Sequence, residues 1–236
     1  MSRERTVAAL QKAAPPARWV LVLTGLAGLA GALLVGTGEF LLQFSPAGGY
    51  GDAAYTWMAQ IPFARMQAGH FLAVLSAPLY LAGYWHLGKM LTRTNPWPGR
   101  FVMALGGYGF MVGAVWIGQR AMLGATVQAI AAGRADPALL HTLAALNEPL
   151  VNVLRVVIVL ISLIWVVQIA RGQTLYPRLM ALISPALLLA AIFALYAWRP
   201  AYGAYVLPTA MNTTHAALFA LSTLMALRVR TAAGTG

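Results

Sequence analysis

The sequence predicts an all-α fold: a polytopic membrane bundle of six transmembrane helices with both termini in the cytoplasm. Three observations predict it. Of 236 residues, 60% are apolar and only 9% charged, against roughly 25% charged in a soluble domain. Six apolar runs, each long enough to cross a bilayer at about 20 residues per span, are punctuated by Pro, Gly and Arg. The basic residues fall mostly between those runs, where they set orientation. The expected organisation is a basic cytoplasmic N-terminus over 1–18, a six-helix transmembrane domain over 19–228 and a cytoplasmic tail over 229–236. Six spans use nearly the whole chain, so any function sits between helices.

The first span, 19–44, is far longer than the 7 to 15 residues of a signal-peptide core and reads as an uncleaved anchor. Its Gly25, Gly28, Gly31, Ala32 and Gly36 predict close helix contact. The second span, 66–90, contains Pro78. The third, 100–123, carries Gly106, Gly107 and a Gly109/Gly113 pair at the GxxxG spacing that lets backbones approach in lipid. The fourth, fifth and sixth cover 149–170, 177–198 and 207–227.

Two longer connections, 45–65 and 124–148, lie on the expected outer side and lid the bundle. In the second, Gly133 ends an extension of the third helix, and Asp136 with Pro137 reads as an N-cap and first helical position. A short amphipathic helix over 137–146, with Leu139, Leu140, Leu143 and Leu146 on one side, is expected to stop before Asn147, Glu148 and Pro149 restart the chain as the fourth span. Trp19, Trp57, Trp85, Trp97 and Trp198 sit near span ends and suit an aromatic belt. Pro78 and Pro185 follow similar Leu-Ser stretches, which suggests two inverted three-helix halves, although the acidic residues do not correspond between the halves.

With the N-terminus inside, Arg3, Arg5, Lys12, Arg18, Lys89, Arg93, Arg100, Arg171, Arg178, Arg228 and Arg230 are cytoplasmic, against Arg65, Arg134 and Arg199 outside. That asymmetry places both termini in the cytoplasm of a bacterial inner membrane. The net charge of +11 is thereby accounted for by topology, and no nucleic-acid partner is expected. The absence of cysteine excludes disulfides, thiolate metal sites, iron–sulfur clusters, c-type haem and a cysteine nucleophile. Lys12 and Lys89, the two lysines, both lie outside the spans or at their edge, which excludes a retinal Schiff base.

Ionisable residues inside spans cost about 2.5 to 3.5 kcal/mol each at a helix centre and ask for a partner or a purpose. Glu39 and Gln43 end the first span, Arg65 and His70 open the second, and Gln119 and Arg120 end the third. Glu148, Asn152 and Arg155 open the fourth, and Asn212 and His215 open the sixth. All fall in the outer half. Glu148, Asn152, Arg155 and Ser162 share a helical face, as do Asn212, His215, Phe219 and Ser222. Arg65, Gly69, Ala73 and Ser76 form a small-residue face that leaves room for a cavity.

Each residue also has a structural reading. Glu148 suits the positive end of a helix dipole, Arg155 pairs with Glu39 or Glu148, Arg120 snorkels to the interface, and His86 and His141 are interfacial and exposed respectively. His70, His215, Glu39 and Glu148 are metal-ligating types, but no HExxH or ExxH spacing joins them, so the cofactor stays undefined and metal occupancy open. A bis-histidine haem would need His70 to face His215 across a ring-sized gap.

The run Gly38-Glu39-x-Leu41-Leu42 leading to Pro46, with Pro208-x-x-x-Asn212-x-x-His215-x-x-x-Phe219 in the last helix, resembles a family of small bacterial six-helix membrane proteins of unknown function. That family more often has Asp where Glu39 stands. The resemblance implies a six-helix bundle with polar residues on the first and last helices, and no activity.

The leading functional expectation is an integral membrane enzyme acting on a lipid or isoprenoid-like anionic substrate at the outer half of the bilayer. Glu39, His70, Glu148 and His215 would carry acid–base chemistry, and Arg155, Arg120, Asn152 and Asn212 would bind substrate. The alternatives are a small-molecule or proton-coupled transporter, and a binding or scaffold subunit in which the polar layer only fixes helix register. Besides the bilayer and such a ligand, the residues define no partner and no oligomeric state.

Overall fold

A computed structural model describes residues 16–46 and 48–229. The expected basic residues Arg3, Arg5, Lys12 and Arg230 lie outside the described residues. The described chain is all-α. Eight α-helices follow in order: α1 (Arg18–Gln43), α2 (Phe63–Ser76), α3 (Leu79–Met90), α4 (Trp97–Ala131), α5 (Pro137–Ala170), α6 (Pro185–Trp198), α7 (Pro200–Val206) and α8 (Ala210–Ala226). Single 3-10 turns cover Thr56–Gln60, Arg178–Leu182 and Leu207–Thr209.

Three helices, α1, α4 and α5, are long and apolar enough to cross a membrane. The expected second span is divided. Pro78 has no N–H to give the Val74 carbonyl, so α2 stops at Ser76 and α3 resumes at Leu79. Pro185 plays a different part, as the first residue of α6 behind the N-cap Ser184, whose hydroxyl accepts from the Leu187 N–H at 3.4 Å. The two prolines are therefore not counterparts, which removes their support for an inverted repeat.

The outer connection 124–148 departs from expectation as well. α4 continues to Ala131, Gly133 turns the chain at φ +67°, and Asp136 caps α5 by accepting from the Ala138 N–H at 2.8 Å. From there α5 runs unbroken to Ala170, with Pro149 inside it and no separate amphipathic helix. The ring of Pro149 deprives only the Ala145 carbonyl of its donor, and the α4–α5 contact carries the helix through. At about 1.5 Å per residue these helices are each roughly 50 Å long, well beyond a hydrocarbon core of about 30 Å.

The bundle is organised around α1, which contacts α2, α3 and α8 through its small residues. A Cβ on Gly28 would lie 2.6 Å from the Gly83 backbone and 3.0 Å from the Phe219 ring, and one on Gly38 would lie 2.6 Å from the Gly69 carbonyl. These are the close contacts that the glycines of the first span predict. In α4 the expected GxxxG contact is only half present. Gly109 meets Val157 of α5, but a Cβ on Gly113 would meet nothing within 4 Å. The second glycine opens space instead of closing it.

The chain after α3 and the chain after α5 join, with Leu175 N–H donating to Met90 O at 2.9 Å and Arg93 N–H to Gln173 O at 3.2 Å. Trp19, Trp97 and Trp198 are exposed, whereas Trp57, in the 45–65 connection, is buried. There Gln128 of α4 donates to the carbonyls of Met58 and Ile61 and holds residues 56–61 over the bundle.

Gly83→Val is expected to cost at least about 1 to 3 kcal/mol by overpacking against Phe219 and Gly28, whereas Gly113→Val leaves stability nearly unchanged. Thermal unfolding of both variants in mild detergent checks the contrast. Equal melting temperatures would contradict the α1–α3–α8 contact.

Candidate functional site

The first helix brings Glu39, near its C-terminal end, to the seam between α1, α3 and α8. There it is buried, and both its oxygens accept hydrogen bonds: Oε2 from Asn212 Nδ2 at 2.6 Å and Oε1 from Gln43 Nε2 at 3.2 Å. Asn212 also accepts from the Tyr80 hydroxyl at 2.6 Å. Gln43 gives its other proton to Pro208 O at 2.9 Å, which ties α1 to the turn that starts α8. Gly36 leaves room for this junction, since a Cβ there would stand 3.1 Å from the Asn212 Cβ.

One turn further along α8, His215 Nδ1 lies 2.7 Å from the Met211 carbonyl and Nε2 lies 2.6 Å from the Tyr84 hydroxyl. A carbonyl only accepts, so Nδ1 carries the proton and Nε2 of the neutral ring accepts from Tyr84. Tyr80 and Tyr84, one turn apart on α3, therefore present a second row of polar groups to α8. They were not among the sequence candidates, because tyrosine is common at membrane interfaces and nothing in its spacing marks it as buried.

These groups line a cavity of about 90 Å³. Glu39, Asn212, His215, Tyr80 and Tyr84 form one wall, Ala73 and Ala77 another, and Phe110, Gly113, Trp116, Leu154, Val157 and Ile158 the apolar remainder. The Trp116 Nε1–H is buried without a partner. No Lys or Arg lines the space.

Above it lies a rim. Arg120 donates to Glu148 at 2.8 Å, to Gln43 Oε1 at 3.3 Å and to Asn147 Oδ1 at 3.4 Å, and its guanidinium stands 4.9 Å from the centre of the Tyr55 ring and 5.0 Å from that of Trp116. Arg120 is thus turned inward rather than free at the interface. Tyr55, in the outer loop, donates its hydroxyl proton to Glu148. Burial, and then the neighbouring Glu148 carboxylate, push that phenol up to about 12.

Three candidates stand apart from this assembly. Asn152 and Arg155 are exposed on α5 and hydrogen-bond to each other at 2.9 Å. Arg155 pairs with neither Glu39 nor Glu148, since Arg120–Glu148 is the one ion pair among the described residues. The inward stripe of α5 begins one residue earlier than expected. It runs through Asn147, Leu154, Ile158, Ile161 and Trp165, and Asn147 is fully buried with its amide donating to Trp116 O at 3.1 Å. Glu148 faces the rim; of the polar residues expected in phase with it, Asn152 and Arg155 face outward, whereas Ser162 is buried and accepts from the Ala186 N–H at 2.9 Å. His70 is partly buried on α2 near Gly118, does not line the cavity, and leaves its Nδ1 unpartnered.

A second polar cluster lies at the other end of the seam, around His86, which the sequence placed at the membrane interface. His86 is fully buried. Its Nδ1 donates to Leu21 O at 2.7 Å, its Nε2 lies 2.7 Å from Ser222 Oγ, and Tyr176 closes the chain on Ser222. Among the described residues no three His, Asp or Glu side chains gather as a metal site would require.

Asn212→Ala strips Glu39 of its shortest hydrogen bond and leaves the Tyr80 hydroxyl without an acceptor. Destabilisation of about 1 to 3 kcal/mol is expected, against less than about 0.5 kcal/mol for Asn152→Ala on the exposed face. Denaturation midpoints of the two variants in one detergent decide it, and a larger loss for Asn152→Ala would refute the placement.

Residues 21–228 match the model of a family of unknown function, DUF6796. No curated protein and no solved structure matches the chain.

Proposed function

Because the chain belongs to DUF6796, a family of unknown function, no activity carries over from relatives, and we propose a reading from the geometry. The protein is an integral membrane enzyme whose outer-half cavity receives part of a lipid or isoprenoid-like substrate. The observation that carries this is a carboxylate and a histidine, each held by hydrogen bonds, in the polar wall of a cavity whose remaining lining is largely apolar. Protein interiors rarely leave such space open beside a buried acid.

In this reading Glu39 is the general acid or base, oriented by Asn212 and Gln43. His215 with Tyr84 moves a proton at the opposite side of the same wall. Arg120 sits at the rim, where an anionic group would compete with Glu148 for its guanidinium. Glu148 and Tyr55 position Arg120 and are not catalytic. Asn152, Arg155 and His70 have no part in the reaction. A transporter is the weaker reading, because Phe219, wedged between Gly28 and Gly83, separates the outer cluster from the inner one.

The same proposal takes α1, the bent α2–α3 pair, α4, α5, α6 and α8 as six spans with both termini in the cytoplasm of a bacterial inner membrane. The cysteine-free sequence makes this directly testable. In intact spheroplasts a membrane-impermeant maleimide is expected to label Arg134→Cys and to spare Thr94→Cys until the membrane is opened. The reverse pattern would invert the topology.

Native mass spectrometry of the purified protein tests the cavity. A retained lipid is expected in the wild type and absent from Gly113→Leu, because Gly113 lines the cavity and a Cβ there meets nothing within 4 Å. On the substrate so identified, Glu39→Gln is expected to lower turnover at least about 100-fold. Equal retention in both proteins, or unchanged turnover, would defeat the assignment.

A further inference from the structure

We infer that the group received beside Glu39 is a positively charged, alkylated ammonium on a hydrocarbon chain; this rests on the reading of the cavity as a ligand site and names the ligand's chemistry. Glu39 is 5% exposed and meets only amide donors. Arg120, which carries the positive charge at the rim, directs Nε to Gln43 and Nη1 to Glu148 and Asn147, and its ion pair is with Glu148. Gln43 stands between the two, accepting from Arg120 and donating to Glu39. A buried carboxylate without a counter-charge is costly, and the cavity holds no Lys or Arg to supply one. A cationic group placed beside Glu39 makes good that deficit, and an anionic group in the same place worsens it.

The walls point the same way. Tyr80, Tyr84, Phe110 and Trp116 all line the space, with Tyr80 and Phe110 stacked at 5.0 Å between ring centres. Aromatic faces within about 6 Å attract a cation, most strongly where water is excluded. Both tyrosine hydroxyl protons are already committed, to Asn212 and to His215. What the tyrosines offer a ligand is ring surface rather than donors. A hydrated primary ammonium would lose its water without enough acceptors to replace it. A tertiary or quaternary ammonium has little to lose. Its methyl groups match a compact space of about 90 Å³, and Gly113, Ala114 and Leu154 give an apolar wall for the chain.

The test is calorimetric titration of the full-length protein in a neutral maltoside detergent with decyltrimethylammonium, decanol and decyl sulfate. The ammonium is expected to bind at least about tenfold more tightly than either of the others, and Glu39→Gln is expected to abolish that preference. Gly113→Leu is expected to remove binding of all three. If Glu39→Gln does not fold, Phe110→Leu serves, with ammonium affinity falling and decanol affinity unchanged. Equal binding of ammonium and decanol, both lost in Gly113→Leu, would overturn the charge assignment and leave the cavity reading standing. No binding of any probe, or binding indifferent to Gly113→Leu, would overturn both.

Discussion

The polar seam around Glu39 depends on how closely α1 approaches its neighbours. In lipid no hydrophobic force draws helices together, so contact rests on dispersion and on hydrogen bonds that a short interhelical distance allows. Gly28 and Gly38 bring the α1 backbone almost against Gly83 and Gly69, and Phe219 fills what remains at the first of these crossings. Only at that separation does a glutamate near the outer end of α1 meet an asparagine on α8 at 2.6 Å, and the asparagine in turn a tyrosine on α3. Larger residues at the crossings would leave Glu39 facing lipid or water. The acid and its clamp are thus a consequence of backbone packing.

Hydropathy made the helical class, the position of α1 and the Gly133–Asp136 turn legible, because length, apolar runs and capping chemistry are local properties. Divided spans were harder to see. A mid-run proline either bends a helix or starts one, as Pro78 and Pro185 respectively do, and the choice depends on whether a residue such as Ser184 is free to cap. Pro149 does neither, because the contact of α5 with α4 outweighs one lost backbone hydrogen bond.

The site was partly legible for a related reason. Glu39, Asn212 and His215 stand out as costly residues in apolar runs, and their spacing put them on facing surfaces. On α5, helical spacing placed Glu148, Asn152 and Arg155 on a common face but could not say which face turns inward. A shift of one residue rotates a helix by about 100°, which is enough to exchange Asn147 for Glu148 as the buried position and to send Arg155 outward. Tyr80 and Tyr84 escaped notice because their significance is only in what they touch.

Two polar clusters of similar composition occupy the α1–α3–α8 seam, and only one is a candidate for chemistry. His86, Ser222 and Tyr176 resemble His215, Asn212 and Tyr84 in hydrogen-bond chemistry, yet His86 and Ser222 are fully buried, with partners on every side. A satisfied, space-free network of this kind fixes helix register. Around Glu39 the same sort of network borders open volume, because Ala73, Ala77, Gly113 and Ala114 withhold the side chains that would fill it. A GxxxG spacing that reads as contact in the sequence therefore does two jobs in the fold, with Gly109 seating α5 and Gly113 keeping the cavity open. Reactivity needs a polar group and room for a reacting partner together, and among the described residues of this seam the two coincide beside Glu39 and His215.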